Sequence, residues 1–255
     1  MALTLTPLKG IPMIQPGDNL AGILLEALRQ SDVALQDGDI LVLAQKIVSK
    51  AEGRMVNLES IAVSPLAQEL AQKTEKDARF IELVLRESKE VLRTRPGTII
   101  VEHAGGFVCA NAGIDHSNVN GPQGDPEMWY LLLPENADRS AENIRAEIER
   151  AVEARIGVMI IDSHGRAWRM GTVGVAIGLS GMPGLVDLRG QPDLFGYQLR
   201  VTQVAAADEL AAAASLVMGQ ADEATPAVHV RGFPYALREG TLAELIRPRE
   251  MDLFR

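Results

Sequence analysis

The chain has 255 residues, and its 34 Asp and Glu residues outnumber its 25 Lys and Arg residues, which gives a formal net charge of −9. An apolar fraction of 47% excludes an intrinsically disordered chain, and the acidic balance argues against binding along a nucleic-acid backbone. The single cysteine, Cys109, excludes an intrachain disulfide and a zinc site built from several thiolates.

The chain order of apolar runs predicts short strands alternating irregularly with amphipathic helices. The predicted strands are 3–8, 40–44, 98–102, 107–110, 156–162, 172–181, 199–205 and 226–232. The predicted helices are one capped by Asp18, two pieces within 65–88, then 140–154, 208–218 and a short last helix with Thr241 and Glu244 as capping box. Residues 119–134 are predicted to be irregular.

Several widespread sequence motifs are absent. The chain has no Walker A motif, and its glycines do not form a strand-to-helix G-x-G-x-x-G fingerprint. It also has neither H-E-x-x-H nor G-x-S-x-G, which weakens the metalloprotease and α/β-hydrolase hypotheses. No run approaches the roughly 20 apolar residues of a membrane helix, and no signal peptide is evident. We therefore expect a cytoplasmic protein with neither membrane nor nucleic-acid partners.

The first candidate site is NAGIDHSN (111–118), where Asp115 follows a predicted strand. Asn111, Ser117 and Asn118 add oxygen donors, and hard cations such as Mg²⁺ prefer carboxylate and neutral oxygen ligands on short loops. The alternative is a turn stabilised by the Asp and Asn side chains themselves.

The second candidate site is IIDSHGR, where a buried strand leads to Asp162 and Ser163. Ligands of open α/β sheets commonly bind at carboxyl strand ends, and Gly165 permits close backbone approach. The alternative is an ordinary polar turn. Two such aspartates with similar neighbours favour a shared metal site over either one alone.

Other polar residues give weaker indications. Lys50 and Arg54 follow a strand, where Lys is a natural phosphate partner or simply a solvated side chain. Gly219 and Gln220 end a helix and could approach a nucleotide, or form only a helix stop. The four histidines show no metal-ligand spacing, and Cys109 is predicted to be a buried small hydrophobe.

Longer segments carry a resemblance to a known family. They are KGIPMIQPGD, DGDILVLAQKIVSKAEGR, SKEVLR, VCANAGIDHSN, VMIIDSHGRAWRMGTVGVAIGLSG, DLFGYQLRVTQVAAADELAAAASLVMGQ and PAVHVRG. In this order, and over almost the whole chain, they resemble the coenzyme F420-0:L-glutamate ligases, the γ-glutamyl ligases of coenzyme F420 biosynthesis.

The resemblance implies a GTP-dependent ligase that attaches L-glutamate to F420-0 and then extends a γ-linked tail through an acyl phosphate. It implies Mg²⁺ or Mn²⁺, two ions per site, with stimulation by K⁺. The implied fold is α+β, with mixed, mainly antiparallel sheets and flanking helices, no P-loop, and an intertwined, butterfly-like homodimer. We expect one ligase unit over 1–255, divisible into two subdomains, and no C-terminal flavin reductase domain.

Site residues follow from the same resemblance. The implied catalytic pair is Asp115 and Asp162, and the implied metal ligands are Asp115, Asp162, Ser163 and Gln220. The implied GTP contacts are Lys9, Gly10, Ile11, Pro12, Gln45, Lys46, Lys50, Asn118, Met218, Gly219, Gln220, Ala221, Asp222, Glu223, Ala224 and Thr225. Arg166 and Arg169 are further candidates for carboxylate or phosphate contacts.

The chain departs from the family pattern in places. Gln220 is neutral at a position where the family has Glu or Gln, and Gln45 and Lys46 replace small hydroxyl residues. The segment ADEAT lacks expected glycines, and the insert 121–130 is longer than in archaeal members. Two alternatives stay open: an amide ligase acting on another carboxylate, and a nucleotide-binding protein without catalysis.

Overall fold

A computed structural model describes residues 2–119, 121 and 124–253. The strands are β1 Thr4–Pro7, β2 Ile40–Ala44, β3 Met55–Asn57, β4 Ser88–Arg95, β5 Thr98–His103, β6 Val108–Ala110, β7 Trp129–Leu131, β8 Gly157–Arg166, β9 Arg169–Ser180, β10 Val186–Asp187, β11 Gln203–Val204 and β12 Ala227–Arg231. The helices are α1 Leu20–Gln30, α2 Gln45–Ala51, α3 Pro65–Thr74, α4 Ala78–Arg86, α5 Ala137–Ala151 and α6 Ala206–Met218.

A five-stranded sheet with the order β1-β12-β2-β8-β9 forms the centre of the molecule. Only β2 and β8 run parallel within it, and the other neighbours are antiparallel. Leu41 and Leu43 pack with α1 and α5 on one face, while Ile40 and Val42 pack with α6 on the other. Burial on both faces explains why β2 is one continuous apolar run. The predicted α+β class with mainly antiparallel sheets is confirmed.

A smaller core lies beside this sheet. The three-stranded antiparallel sheet β4-β5-β6 packs with α3 and α4 around buried residues that include Phe80, Ile81, Ile99 and Val101. β3 pairs with β7 in a separate two-stranded ladder. The two predicted helices within 65–88 and the hairpin joining 98–102 to 107–110 are confirmed.

The observed hydrogen bonds contradict two predicted helix caps. Asn19, not Asp18, caps α1 by accepting from the Gly22 N–H at 3.0 Å. The Asp18 carboxylate instead turns back to the Gln15 N–H at 2.7 Å. Near the C-terminus the Thr241 side chain makes no cap hydrogen bond. The Glu244 carboxylate binds Arg238 and the backbone N–H groups of 184–185, so the predicted capping box does not form.

Three strand predictions are also corrected. β8 does not end at Asp162 but continues to Arg166 as a hairpin with β9. Only Gln203–Val204 of 199–205 is a strand, because Leu199 and Thr202 bond within the preceding loop. The predicted irregular stretch 119–134 contains β7, and Asn120, Pro122 and Gln123 of that stretch lie outside the described residues. No helix in the described part of the chain is long and apolar enough to cross a membrane.

Candidate functional site

The carboxyl end of β2 delivers the first group of predicted site residues. The strand stops at Ala44 and α2 begins directly at Gln45, so Gln45, Lys46 and Lys50 follow the strand within two helical turns. Gln45 is buried, and its Oε1 accepts from the Ser49 hydroxyl at 2.9 Å. Its amide Nε2 is buried without a partner in the described structure, which leaves a donor for a ligand oxygen.

The loop after β6 carries Asp115 and is held rigidly. Asn111 and Asn118 both adopt positive φ angles, 54° and 56°, a conformation that Asn tolerates better than most residues. Asp115 exchanges two backbone hydrogen bonds with Leu131 of β7, at 2.9 and 2.8 Å. The Asn118 side-chain amide donates to the Ala221 carbonyl at 3.3 Å, which links this loop to the segment after α6.

Two lysines converge on this loop. Lys46 Nζ lies 2.9 Å from Asp115 Oδ2 and also donates to the Ser117 hydroxyl and carbonyl, at 2.8 and 2.9 Å. Lys50 Nζ donates to the Asn118 carbonyl at 2.7 Å. Burial lowers the pKa of Lys50, the Lys46 charge lowers it further, and Asp115 opposes both effects. A carboxylate beside two ammonium groups is suited to an anionic ligand with its counter-ion.

Asp162 occupies the neighbouring strand. It lies on β8 just past Ile161, the last residue opposite β2, so the end of β2 leaves room beside it. Its Oδ2 is 3.0 Å from His164 Nε2, and both side chains are mostly buried. The His164 ring lies 5.4 Å from the Phe107 ring, which anchors the pair against the smaller sheet.

Ser163 and Gln220 meet on the opposite face of β8. Successive residues of a strand point to opposite faces, so the Ser163 side chain lies on the α6 side while Asp162 lies on the other. The Ser163 hydroxyl donates to Gln220 Oε1 at 2.9 Å, and Gln220 Nε2 donates to Ser215 at 2.9 Å. These two bonds fix the amide with its oxygen toward Ser163.

The segment after α6 closes on itself. Gly219 has a φ of 75°, the Thr225 hydroxyl donates to the Met218 carbonyl at 2.8 Å, and Glu223 accepts from the Ala221 N–H at 2.8 Å. The predicted residues Asp222 and Ala224 lie within this closed loop.

The first predicted nucleotide segment is placed differently. The Lys9 N–H donates to Ser31, and Gly10 and Pro12 line a separate open cleft of about 520 Å³ with Asn19 and Glu26. Among the described residues, no hydrogen bond or ion pair connects 9–12 with the Asp115 cluster. Gly10 has a φ of 77°, and a Cβ there would overlap the Gln30 side chain.

Two predicted basic candidates have other partners. Arg54 pairs with Glu87 at 2.7 Å and donates to the Leu133 carbonyl, so it joins the two cores. Arg166 donates to the Met170 carbonyl and, with Arg169, lies at the exposed tip of the β8–β9 hairpin.

The structure places the histidines and Cys109 in different surroundings. His103 and His229 are buried in strands. Cys109 is buried as predicted, which raises the pKa of its thiol to about 12. His116 contacts the Trp129 carbonyl and Glu127. The sequence could not show the contact between the Phe107 and His164 rings, because no local pattern shows that β8 meets the β5–β6 hairpin.

The oxygen donors fit a hard divalent cation. Asp115, Asp162, Ser163 and Gln220 supply carboxylate, hydroxyl and amide oxygens, the donor types that Mg²⁺ and Mn²⁺ prefer. A cation held by Asp115 would share this carboxylate with Lys46, whose Nζ lies 2.9 Å from Oδ2. In the described part of the chain, no group of three or more His, Cys, Asp or Glu forms an alternative metal cluster.

Sequence comparisons identify the relatives of this chain. The sequence profile described as F420-0:Gamma-glutamyl ligase matches residues 10–232. A protein of Methanothermobacter thermautotrophicus named coenzyme F420:L-glutamate ligase is 46% identical, with 100% of each chain covered. Proteins with the same name from Methanocaldococcus jannaschii and Archaeoglobus fulgidus are 44% and 42% identical, covering 96% and 100% of this chain and 94% and 97% of their own. The chain belongs to the F420-0:gamma-glutamyl ligase family.

Proposed function

We propose that this protein is a GTP-dependent ligase that joins L-glutamate to coenzyme F420-0 and extends the γ-linked oligoglutamate tail. The observation that carries the proposal is the convergence of three separate segments on one place. Asn118 bonds the loop of Asp115 and Lys46 to the segment after α6. Gln220 of that segment accepts from Ser163 of β8, the residue after Asp162. Membership of the ligase family and the names of its relatives support the same activity.

The reaction is an activated amide synthesis. A carboxylate is a poor electrophile, so the γ-phosphoryl group of GTP is transferred to the acceptor carboxylate, giving an acyl phosphate and GDP. The glutamate amine then attacks the carbonyl carbon, the C–O bond to phosphate breaks, and the amine loses a proton. Phosphoryl transfer depends on charge neutralisation and positioning, which is the contribution that Lys46 and Lys50 make to the phosphates.

We assign two cation positions to this site, for Mg²⁺ or Mn²⁺. Asp115 and Asp162 provide the carboxylates of one position, and Ser163 with Gln220 provides the neutral oxygens of the other, because Asp162 and Ser163 face opposite sides of β8. When bound, such ions neutralise the phosphate charge and stabilise the attacking and leaving oxygens. Stimulation by K⁺ is part of the same proposal, without a residue assigned to it.

The nucleotide contacts are proposed around Gln45. Its unpartnered Nε2, the Lys50 ammonium and the Asn118 loop face the same region, and the segment 218–225 adjoins it through Ala221. We place Lys9, Gly10, Ile11 and Pro12 in the same nucleotide site as an extension across the neighbouring cleft.

A homodimer is also proposed, of the intertwined, butterfly-like kind. Large apolar side chains are almost fully exposed at the β8–β9 tip and in the loop before β11: Trp168 is 88% exposed, Met170 96%, Leu194 98% and Phe195 95%. Large exposed apolar side chains that cluster on a surface mark interaction sites, and a second copy of this chain is the occupant we propose for these two segments.

The activity is tested with purified protein, F420-0, L-glutamate, GTP and Mn²⁺, with products read by mass spectrometry. We expect a product heavier by one or more glutamyl units, with equimolar GDP and phosphate, and no product without metal. Replacing GTP by ATP tests the nucleotide preference. Metal-dependent GTP binding without glutamylation would indicate that the ligase acts on another carboxylate. The absence of both GTP binding and glutamylation would refute the assignment of Asp115 and Asp162.

A further inference from the structure

A second cavity is connected to Asp162 through the Phe107 and His164 side chains. It has a volume of about 370 Å³, and the residues that give it its chemistry are His103, Phe107, Glu135, Asp138, Leu242 and Ile246. Phe107 stacks on the His103 ring at 4.8 Å and contacts the His164 ring at 5.4 Å, and His164 bonds Asp162. The Phe107 and His164 rings therefore lie between the cavity and Asp162 of the proposed phosphoryl-transfer site.

The cavity wall contains an unused hydrogen-bond donor. His103 is 4% exposed, and its Nδ1 accepts the Gly105 N–H at 2.9 Å, so a neutral ring carries its proton on Nε2. Burial lowers the pKa of His103 to about 4, and the ring is neutral at pH 7. Nε2 is buried without a partner in the described structure, an arrangement that costs free energy unless a ligand accepts from it.

The first turn of α5 adds further donors on the same wall. Ala137 and Asp138 line the cavity at the beginning of this 15-residue helix, where backbone N–H groups and the helix dipole favour a negative charge. The Asn136 side chain occupies the Arg139 N–H, one residue further along the helix. Together with His103, these groups are suited to a carboxylate.

The same cavity also presents carboxylates, which a purely anionic ligand would avoid. Asp138 is occupied by the N–H groups of Leu179 and Leu242, whereas Glu135 is exposed at the cavity edge. The volume lies near the lower end of the range for ligand pockets, roughly 300 to 1,000 Å³. Donors on one side, a carboxylate on the other and a small volume together fit an amino-acid zwitterion.

We infer that this cavity is the subsite for the incoming L-glutamate, an inference that rests on the proposed ligase function. His103 Nε2–H and the first turn of α5 bind a carboxylate of the amino acid, and Glu135 binds its ammonium group. The amine is then held next to Asp162, on the side from which it can reach an acyl phosphate formed there.

The test compares KM for L-glutamate with KM for GTP in four variants. We expect His103→Leu to raise KM for glutamate about 10- to 100-fold, the effect of a lost hydrogen bond to a charged group, with KM for GTP unchanged. His103→Gln, which keeps a donor, should recover part of the loss. Glu135→Gln should raise KM for glutamate about 3- to 10-fold, and Glu142→Gln, an exposed matched control on α5, should not.

The outcomes separate the two proposals. If the variants ligate glutamate with KM values within twofold of the unmodified protein, the subsite is wrong and the ligase function stands. If the unmodified protein ligates nothing, the ligase function fails, and NMR with ¹³C-labelled L-glutamate tests the cavity alone. Binding that is lost in His103→Leu and Glu135→Gln then supports an amino-acid site, and no binding to the unmodified protein overturns it.

Discussion

Two aspartate–histidine pairs lie on the central sheet and have opposite surroundings. Asp39 and His229 are 2.9 Å apart, and Asp162 and His164 are 3.0 Å apart. Asp39 is 1% exposed and also receives two hydrogen bonds from Arg231, at 2.9 and 2.7 Å. Asp162 has no such cation from its own chain among the described residues, and the rings of His164 and Phe107 connect it to the cavity. A carboxylate whose hydrogen-bonding capacity is filled by its own chain, such as Asp39, is structural, or saturated. A carboxylate with one partner, such as Asp162, is half-satisfied and is available to a ligand.

The saturated pair joins two neighbouring strands of the sheet. Arg231 ends β12, and Asp39 directly precedes β2, its neighbour in the sheet. Burial would raise the pKa of Asp39, but Arg231, His229 and the Gln36 N–H outweigh it and hold the pKa below its usual value. Asp39 therefore contributes stability above its unfolded pKa, and that stability is lost as the pH falls through its folded pKa.

The largest effect is expected from breaking the saturated pair. Asp39→Ala leaves Arg231 and His229 without their carboxylate, and we expect the free energy of unfolding to fall by about 3–5 kcal/mol. Urea denaturation followed by circular dichroism measures it. Ligation per folded molecule should stay near that of the unmodified protein, and a selective loss of activity without loss of stability would contradict a structural role.

Substitution in the half-satisfied pair, Asp162 and His164, should reduce activity and leave stability nearly unchanged. Asp162→Asn removes a charge from the proposed cation position, and we expect the ligation rate to fall about 10²- to 10³-fold, the range for removing one group that stabilises the transition state. The melting temperature should hardly change. Asp115→Asn should behave alike, and Glu69→Gln, which removes an exposed charge on α3, serves as the control for net charge.

A third histidine, His103, has no carboxylate partner and should make the free energy of unfolding depend on pH. His103 is buried without a carboxylate partner, and its pKa of about 4 lies below the usual 6.5. Between these values the unfolded chain binds more protons, so stability falls as the pH decreases from about 6.5 to 4, by about 3 kcal/mol in total. Unfolding free energies across this range should show a smaller slope for His103→Gln than for the unmodified protein, and equal slopes would contradict the account.

A smaller effect is expected from the lysine that contacts Asp115. Lys46→Gln removes the ammonium that lies 2.9 Å from Asp115 Oδ2, and we expect GTP affinity to fall about tenfold. Isothermal titration of GTP with Mn²⁺ measures it. Lys76→Gln, which replaces a half-buried lysine whose ammonium lies over the Phe80 ring, is the matched control. A similar loss in both variants would indicate only a general charge effect.

The smallest effect is expected at the neutral ligand position. Gln220→Glu places a carboxylate next to the Ser163 hydroxyl, and we expect Mn²⁺ affinity to rise a few-fold. Gln220→Ala, which removes the oxygen, should lower it. If both substitutions leave the Mn²⁺ affinity unchanged, Gln220 does not belong to a cation position.

Local elements and the residue types of the site could be predicted from the sequence. The apolar run of β2 and the polar clusters at Asp115 and Asp162 are local patterns, and their resemblance to the ligase family is confirmed. The sequence could not show that Asp162 and Ser163 face opposite sides of one long strand, because β8 appeared to end at Asp162. It also could not show which aspartate is saturated, because Arg231 lies far from Asp39 along the chain.

The most direct test of the central claim is a titration of Mn²⁺ in the presence of GTP, followed by electron paramagnetic resonance. The unmodified protein and Glu69→Gln should bind Mn²⁺ equally, while Asp115→Asn and Asp162→Asn should each lose at least one bound ion. If both aspartate variants bind as many ions as the unmodified protein, with the same affinity, Asp115 and Asp162 do not hold the metal–nucleotide complex.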